Sequence, residues 1–202
     1  GASRPPPRRG GPAYRSADPT PRTGVGERGG AGALPRQCKQ LKIPAILGVV
    51  RSVNVGPART VEWRGRQWRT GIFKSPVEGG VWVAGIQVEG DEQADPAVHG
   101  GPTKSVYAYP SEHYDFWREA LEAPARELLD TPGAFGENLT TEGLLEAETG
   151  IGDRIRVGDT LLRVTEPRMP CAKLGLRFRD PLMTRRFYDA RRNGIYFAIE
   201  EA

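Results

Sequence analysis

Cysteine is almost missing from this sequence. Cys38 and Cys171 are the only two among 202 residues, which excludes a disulfide framework and agrees with a reduced, cytoplasmic setting. Histidine is as scarce: His99 and His113 have no cysteine partner nearby, so a structural zinc site is not expected. No apolar run reaches the roughly 18 residues of a membrane-spanning helix, and the first residues hold no apolar segment of a secretory signal. Three catalytic signatures are also missing. There is no Gly-x-Gly-x-x-Gly after a strand, no phosphate loop ending in Gly-Lys-Ser/Thr and no Gly-x-Ser-x-Gly elbow.

Large apolar residues are thin overall, with 38% hydrophobic content, but the deficit is uneven. Residues 1–44 carry nine Lys/Arg and two acids, a net +7 that leaves 20 basic and 23 acidic residues, net −3, for the remainder. The sequence pI of about 9.3 therefore belongs to the first segment. The mildly acidic body argues against a nucleic-acid-binding domain. With Pro5-Pro6-Pro7, Gly29-Gly30 and no apolar face, residues 1–44 read as a disordered basic extension rather than a transit peptide. Cys38 lies at its boundary, and the folded domain is expected over residues 45–202.

Short alternating strands dominate that domain. They are expected at 45–50 continuing through Val53 and Val55, at 80–88, 104–109, 154–157, 160–164 and 195–200, with a hairpin at 61–70 turning near Arg64-Gly65-Arg66. Gly85, inside the 80–88 run, reads as a bulge or a close approach. Such spacing predicts a mostly β fold, a closed or nearly closed barrel with a few peripheral helices. One helix is expected over 111–123, with Tyr114, Trp117 and Leu121 on one stripe. A second opens on Asp180 as N-cap with Pro181 at its first position, and closes at Asn193-Gly194. Met183, Phe187 and Ala190 form its inward face.

Cys171 is the residue that carries chemistry. It follows a proline in Arg168-Met169-Pro170-Cys171-Ala172-Lys173, so cations stand on both sides of it in sequence. Neighbouring cations lower a thiol's pKa, and the thiolate is the form that attacks electrophiles or ligates metals; the other reading is a small core hydrophobe. Two further segments bear polar groups: His99-Gly100-Gly101-Pro102-Thr103-Lys104, and Phe135-Gly136-Glu137-Asn138. If these meet Cys171 in one cleft, His99, Lys104, Asn138, Arg168 and Lys173 surround a thiolate with donors. Gly100 and Gly101 would then let backbone N–H groups approach an anion. Otherwise the glycines mark a tight turn and Asn138 satisfies a loop.

In order and spacing, Val98-His99-Gly100-Gly101, Phe135-Gly136-Glu137-Asn138, Ile151-Gly152-Asp153 and Pro170-Cys171 resemble the MOSC domain, the module at the C-terminus of molybdenum cofactor sulfurases, and more closely its stand-alone bacterial YiiM-like branch. The resemblance runs from about Ala45 onward. It implies a molybdenum cofactor (molybdopterin) with Cys171 as metal ligand and catalytic residue, held by His99, Gly100, Gly101, Lys104, Asn138, Arg168 and Lys173. It further implies reduction of small N-hydroxylated compounds, such as hydroxylaminopurine-type base analogues, fed by a redox electron-donor protein. At family level it also carries an association with pyridoxal phosphate. Two alternatives stand beside this: a sulfur carrier with a persulfide on Cys171, and a cofactor-binding module without catalysis. Neither nucleic acid nor membrane is expected as a partner. YiiM-like proteins continue past the last strand into a small helical region, whereas this sequence ends at Ala202.

Overall fold

The computed structural model of the chain describes residues 47–202. The expected 1–44 extension, its boundary, Cys38 and the strand start at Ala45 and Ile46 lie outside the described residues.

Eleven strands are present among the described residues: β1 (Val49–Val55), β2 (Arg59–Trp63), β3 (Arg66–Thr70), β4 (Ser75–Pro76), β5 (Val83–Ala84), β6 (Gln87–Val88), β7 (Val106–Pro110), β8 (Leu139–Glu142), β9 (Arg154–Val157), β10 (Thr160–Pro167) and β11 (Ile195–Glu201). Seven of them form one sheet in the order β4-β1-β8-β7-β11-β10-β9. All its pairs are antiparallel except β7 with β8. No pairing joins β4 or β1 to β9 among the described residues, so the expected barrel is not seen to close; the fold is sheet-rich with few helices.

The centre of the sheet explains where the site lies. β7 is buried at all five positions, as befits a strand covered on both faces. Its alternation sends Tyr107 and Tyr109 into an aromatic cluster with Tyr114, Trp117, Phe135, Phe178 and Phe187. Val106 and Ala108 enter an aliphatic cluster with Leu139, Leu162, Val164 and Phe197 on the other face. The aromatic side is capped by α2 (Glu112–Ala120), α3 (Ala172–Phe178) and α4 (Met183–Ala190); the single-turn α1 (Pro96–His99) precedes β7. Among the described residues no helix is long and apolar enough to cross a membrane.

Several elements differ from the sequence expectation for local reasons. The hairpin turn is at Arg64-Gly65, both with positive φ (54° and 71°), the twist that suits a two-residue connection. The 80–88 run is instead a second, minimal hairpin, and Gly85 (φ 59°) makes its turn rather than a bulge. α2 is shorter than expected, yet Tyr114, Trp117 and Leu121 are buried together. α4 begins two residues beyond Pro181, because Asp180 Oδ1 accepts from the Leu182 N–H (2.8 Å) and holds a turn ahead of the helix. It ends on Arg191 in the left-handed region. Gly194 follows, where a Cβ would stand 2.7–2.8 Å from the rings of Tyr107 and Tyr109. α3 and β8 were not expected at all.

Candidate functional site

Cys171 sits at the turn between β10 and α3, as the extended N-cap residue of that helix (φ −138°). It is half-buried and unpaired. A cleft of about 90 Å³ opens beside it, and its wall includes Lys74, His99, Lys104, Asn138, Arg168 and Lys173. Chain segments distant in sequence thus line one cleft beside the thiol.

The His99 side enters through α1. The His99 Nδ1 lies 3.2 Å from Asp95 Oδ2 and 3.3 Å from Lys173 Nζ. A ring nitrogen cannot donate to the carboxylate and accept from the ammonium at once. The doubly protonated ring therefore pairs with Asp95, and the ring with a bare Nδ1 pairs with Lys173. The other ring nitrogen is left for Cys171. That hydrogen bond raises the His99 pKa against the opposing effect of burial. In return, burial pushes the Cys171 thiol up, but the His99 hydrogen bond and the Arg168 charge outweigh it and bring it down to about 7. The thiol is thus poised to ionise near neutrality.

Arg168 comes from the end of β10. It is only 6% exposed, lies over the rings of Tyr107 and Phe187 at 4.9 and 5.5 Å, and donates to the Tyr107 hydroxyl at 3.4 Å. No carboxylate pairs with it among the described residues. A buried charge is costly unless paired and hydrogen-bonded. A guanidinium has five N–H donors, and Arg168 lines the cleft with only hydroxyl and aromatic partners around it. The Lys173 ammonium lies against His99 and forms no ion pair among the described residues, although, with the His99 hydrogen bond, its charge helps to lower the Asp95 pKa. Lys104 is placed at the rim, 3.5 Å from Glu166 and 3.4 Å from the Val98 carbonyl, so its charge is partly compensated.

Asn138 lines the cleft but is also structural. Its Oδ1 accepts from the Tyr107 N–H (3.1 Å) and its Nδ2 donates to Asp91 Oδ2 (3.0 Å). Asp91 is in turn paired with Lys74, both side chains being 7% exposed. Burial lowers the Lys74 pKa, with Asp91 opposing. This Lys74–Asp91 pair at the cleft wall was missed in the sequence, as were Asp95, Tyr107 and Tyr196. Gly101 does not offer its amide to an anion: that N–H donates to Gln93 Oε1 (2.7 Å). Gly100 is needed because Gln93 packs where its side chain would be. His113 lies away from the site, bound to Glu146 (2.8 Å) and Arg192 (3.1 Å).

No group of three or more His, Cys, Asp or Glu suited to a metal occurs among the described residues. A metal at Cys171 would therefore take one protein ligand, and the rest from a cofactor or water. The donor set fits such a group: a soft thiolate for the metal and two cations without a carboxylate ion pair among the described residues, Arg168 and Lys173, for anionic substituents.

Residues 95–202 match the MOSC domain model. The chain is similar to the uncharacterized protein YflK of Bacillus subtilis (strain 168), with 41% identity over 152 residues, which is 75% of this chain and 66% of that protein. Protein YiiM of Escherichia coli (strain K12) is 45% identical over 107 residues, covering 53% of this chain and 47% of the other. A protein of Gibberella moniliformis named Reductase is 40% identical over 123 residues, 60% of this chain but 21% of that one. The chain thus spans 66% or less of each of these relatives. Among solved structures, YiiM of Geobacillus stearothermophilus superposes with a TM-score of 0.58 at 32% identity, covering 76% of this chain and 68% of that one.

Proposed function

The chain belongs to the MOSC domain family, and from this premise we propose that it binds a molybdenum cofactor at Cys171 and reduces N-hydroxylated compounds. The observation that carries the reading is Arg168: a buried guanidinium without a protein carboxylate, facing the same cleft as a thiol whose pKa is lowered to about 7. A relative named Reductase supports the direction of the chemistry.

Loss of hydroxyl from an N-hydroxylated amine consumes two electrons and two protons, and yields the amine and water. The cofactor, when bound, supplies the electrons. Cys171 contributes its thiolate as the metal ligand. Arg168 and Lys173 hold anionic substituents by charge-assisted hydrogen bonds. His99 is the proton donor: with its pKa raised, it carries a proton toward the cleft while Asp95 holds Nδ1. When that proton leaves, the neutral ring keeps its Nδ1–H on Asp95, and the bare nitrogen is the one that faces the cleft. Lys74 and Asp91 neutralise each other and fix the wall, with Asn138 tying them to β7.

The test is reduction of 6-hydroxylaminopurine by cofactor-loaded protein with dithionite-reduced methyl viologen as donor. Turnover that disappears in Cys171→Ala, and falls in His99→Ala without loss of metal, supports the reading. Turnover unaffected by Cys171→Ala would overturn it.

A further inference from the structure

The hairpin beside the cleft carries charge for which the reaction chemistry gives no use. β2, β3 and their turn expose Arg59, Arg64 and Arg66; beside them lie Arg177 of α3, half-buried and donating to the Ala134 carbonyl (3.2 Å), and the exposed Arg179 that caps the helix. None of these five forms an ion pair among the described residues. The nearby carboxylates of Glu92 and Asp180 are engaged with Arg69 at 3.7 Å and Arg186 at 3.5 Å; Glu62 on β2 is the one exposed acid of the hairpin itself and leaves the arginines in excess. Four of the five rest on aromatic rings instead. Arg59 and Arg177 share the ring of Phe73, at 3.7 and 5.3 Å from its centre. Arg64 lies over Trp63 at 5.7 Å and Arg66 over Trp68 at 5.2 Å. Ring stacking orients a guanidinium without neutralising it, so this face keeps its positive field.

The patch is physically joined to the thiol. Trp63 packs on Gly175 so closely that a Cβ there would stand 2.8 Å from its ring, which clamps the hairpin to α3. α3 starts at Cys171. At about 1.5 Å per residue, Arg177 stands roughly 9 Å further along the same helix. From the other direction, Thr70, Gly71 and Ile72, which continue β3, line the cleft.

We propose that this arginine-tryptophan face is the docking surface for an electron-transfer protein with acidic residues around its redox centre. The inference rests on the reductive reading above, which requires two electrons per turnover; Cys171 is the one cysteine among the described residues, so no dithiol there can store them. A positive face within residues 45–202, a region of net −3 in a chain of net +4, attracts and orients an acidic protein. The negative balance of that region disfavours nucleic acid, which engages many phosphates over a broad basic surface.

The experiment compares two donors on the cofactor-loaded full chain: dithionite-reduced methyl viologen, and the acidic carriers flavodoxin and ferredoxin with their reductases. In the triple variant Arg59→Glu, Arg64→Glu, Arg66→Glu, kcat/KM for the protein carrier falls roughly ten-fold or more at low salt, while viologen turnover and the melting temperature stay unchanged. Wild-type turnover with the carrier should also weaken as salt rises from about 50 to 300 mM. Milder replacement by Gln gives a smaller loss in the same direction, guarding against a variant that misfolds. Equal loss with both donors, or no loss with either, overturns the docking surface. So does a wild type driven by viologen but by neither carrier, or a triple variant whose only defect is weaker oligonucleotide binding. Absence of viologen turnover in the wild type sinks the reductive reading itself, and this proposal with it.

Discussion

Two ionisable groups, Glu137 and Arg168, are buried in this molecule and are treated in opposite ways. Glu137, fully buried, receives hydrogen bonds from the Tyr114 hydroxyl, the Gly133 N–H (2.9 Å), the Phe135 N–H (3.1 Å) and the Thr140 hydroxyl (3.0 Å). Burial pushes its carboxyl up, and these donors work against that rise. Arg168, almost as buried, has one long hydrogen bond and two aromatic faces. The loop 133–138 is therefore complete in itself. Its carboxylate shapes the turn that feeds β8 and places Asn138 behind the cleft. The cleft differs, because its buried cation meets hydroxyl and aromatic groups but no carboxylate among the described residues. The lesson is that burial alone does not separate structural from functional charges in this fold; satisfaction does.

The comparison breaks if the two charges respond alike to substitution. The largest stability effect is expected at Glu137. Glu137→Ala orphans several buried donors, each costing about 1–3 kcal/mol, so chemical denaturation should show a loss of about 3 kcal/mol or more. Glu137→Gln, which turns an NH2 toward those donors, should lose a good part of it. Arg168 should behave differently. Arg168→Lys keeps the charge but removes the planar fork, and one lost charge-assisted hydrogen bond should cut cofactor retention roughly ten-fold, about 1.4 kcal/mol. In the metal-free protein, Arg168→Met should change stability by less than about 1 kcal/mol or raise it, since an unpaired buried cation is no asset. A loss at Arg168 as large as at Glu137 would remove the distinction.

A smaller effect sharpens the same point through pH. In metal-free protein, alkylation of Cys171 by iodoacetamide follows the thiolate, so the rate should rise through a midpoint of about 7 and be low below it. Removing His99 takes away the largest influence lowering that value. His99→Ala should therefore shift the midpoint upward, while a substitution at His113, which binds Glu146 instead, should leave it in place.

Much of this frame was readable in advance, and the exceptions share a cause. The β2–β3 hairpin announced itself through Arg64-Gly65, where a local backbone requirement decides the residue types. The strands near 154–164 and 195–200 followed from alternation, as did the buried stripe of α2. α3 was hidden by Gly175, a poor helix former whose presence is explained only by Trp63 arriving from over a hundred positions away. β8 lay inside a segment that reads as a loop, although Thr140-Thr141 carried a β-branched signal; its two partners, β1 and β7, are distant in sequence. At the site, Arg168, Lys173 and His99 were legible because the chemistry of a thiol calls for cations beside it. Lys74 was not: in Ile72-Phe73-Lys74-Ser75 a lysine reads as a solvated charge, and only the tertiary fold sets it against Asp91. Gly101 was misread for the converse reason, since a local motif cannot show that Gln93 has already taken its amide.

The central claim, that the thiol cleft is completed by an anionic molybdenum cofactor, is tested most directly by metal and pterin analysis. The full chain would be purified from a cofactor-competent host, wild type alongside Cys171→Ala. The account predicts about one molybdenum and one pterin per wild-type chain, as a soft thiolate ligand in this cleft implies, with the metal lost from Cys171→Ala at an unchanged melting temperature. Wild-type protein that carries cyanide-labile sulfur and no molybdenum, or equal metal in both proteins, would contradict it.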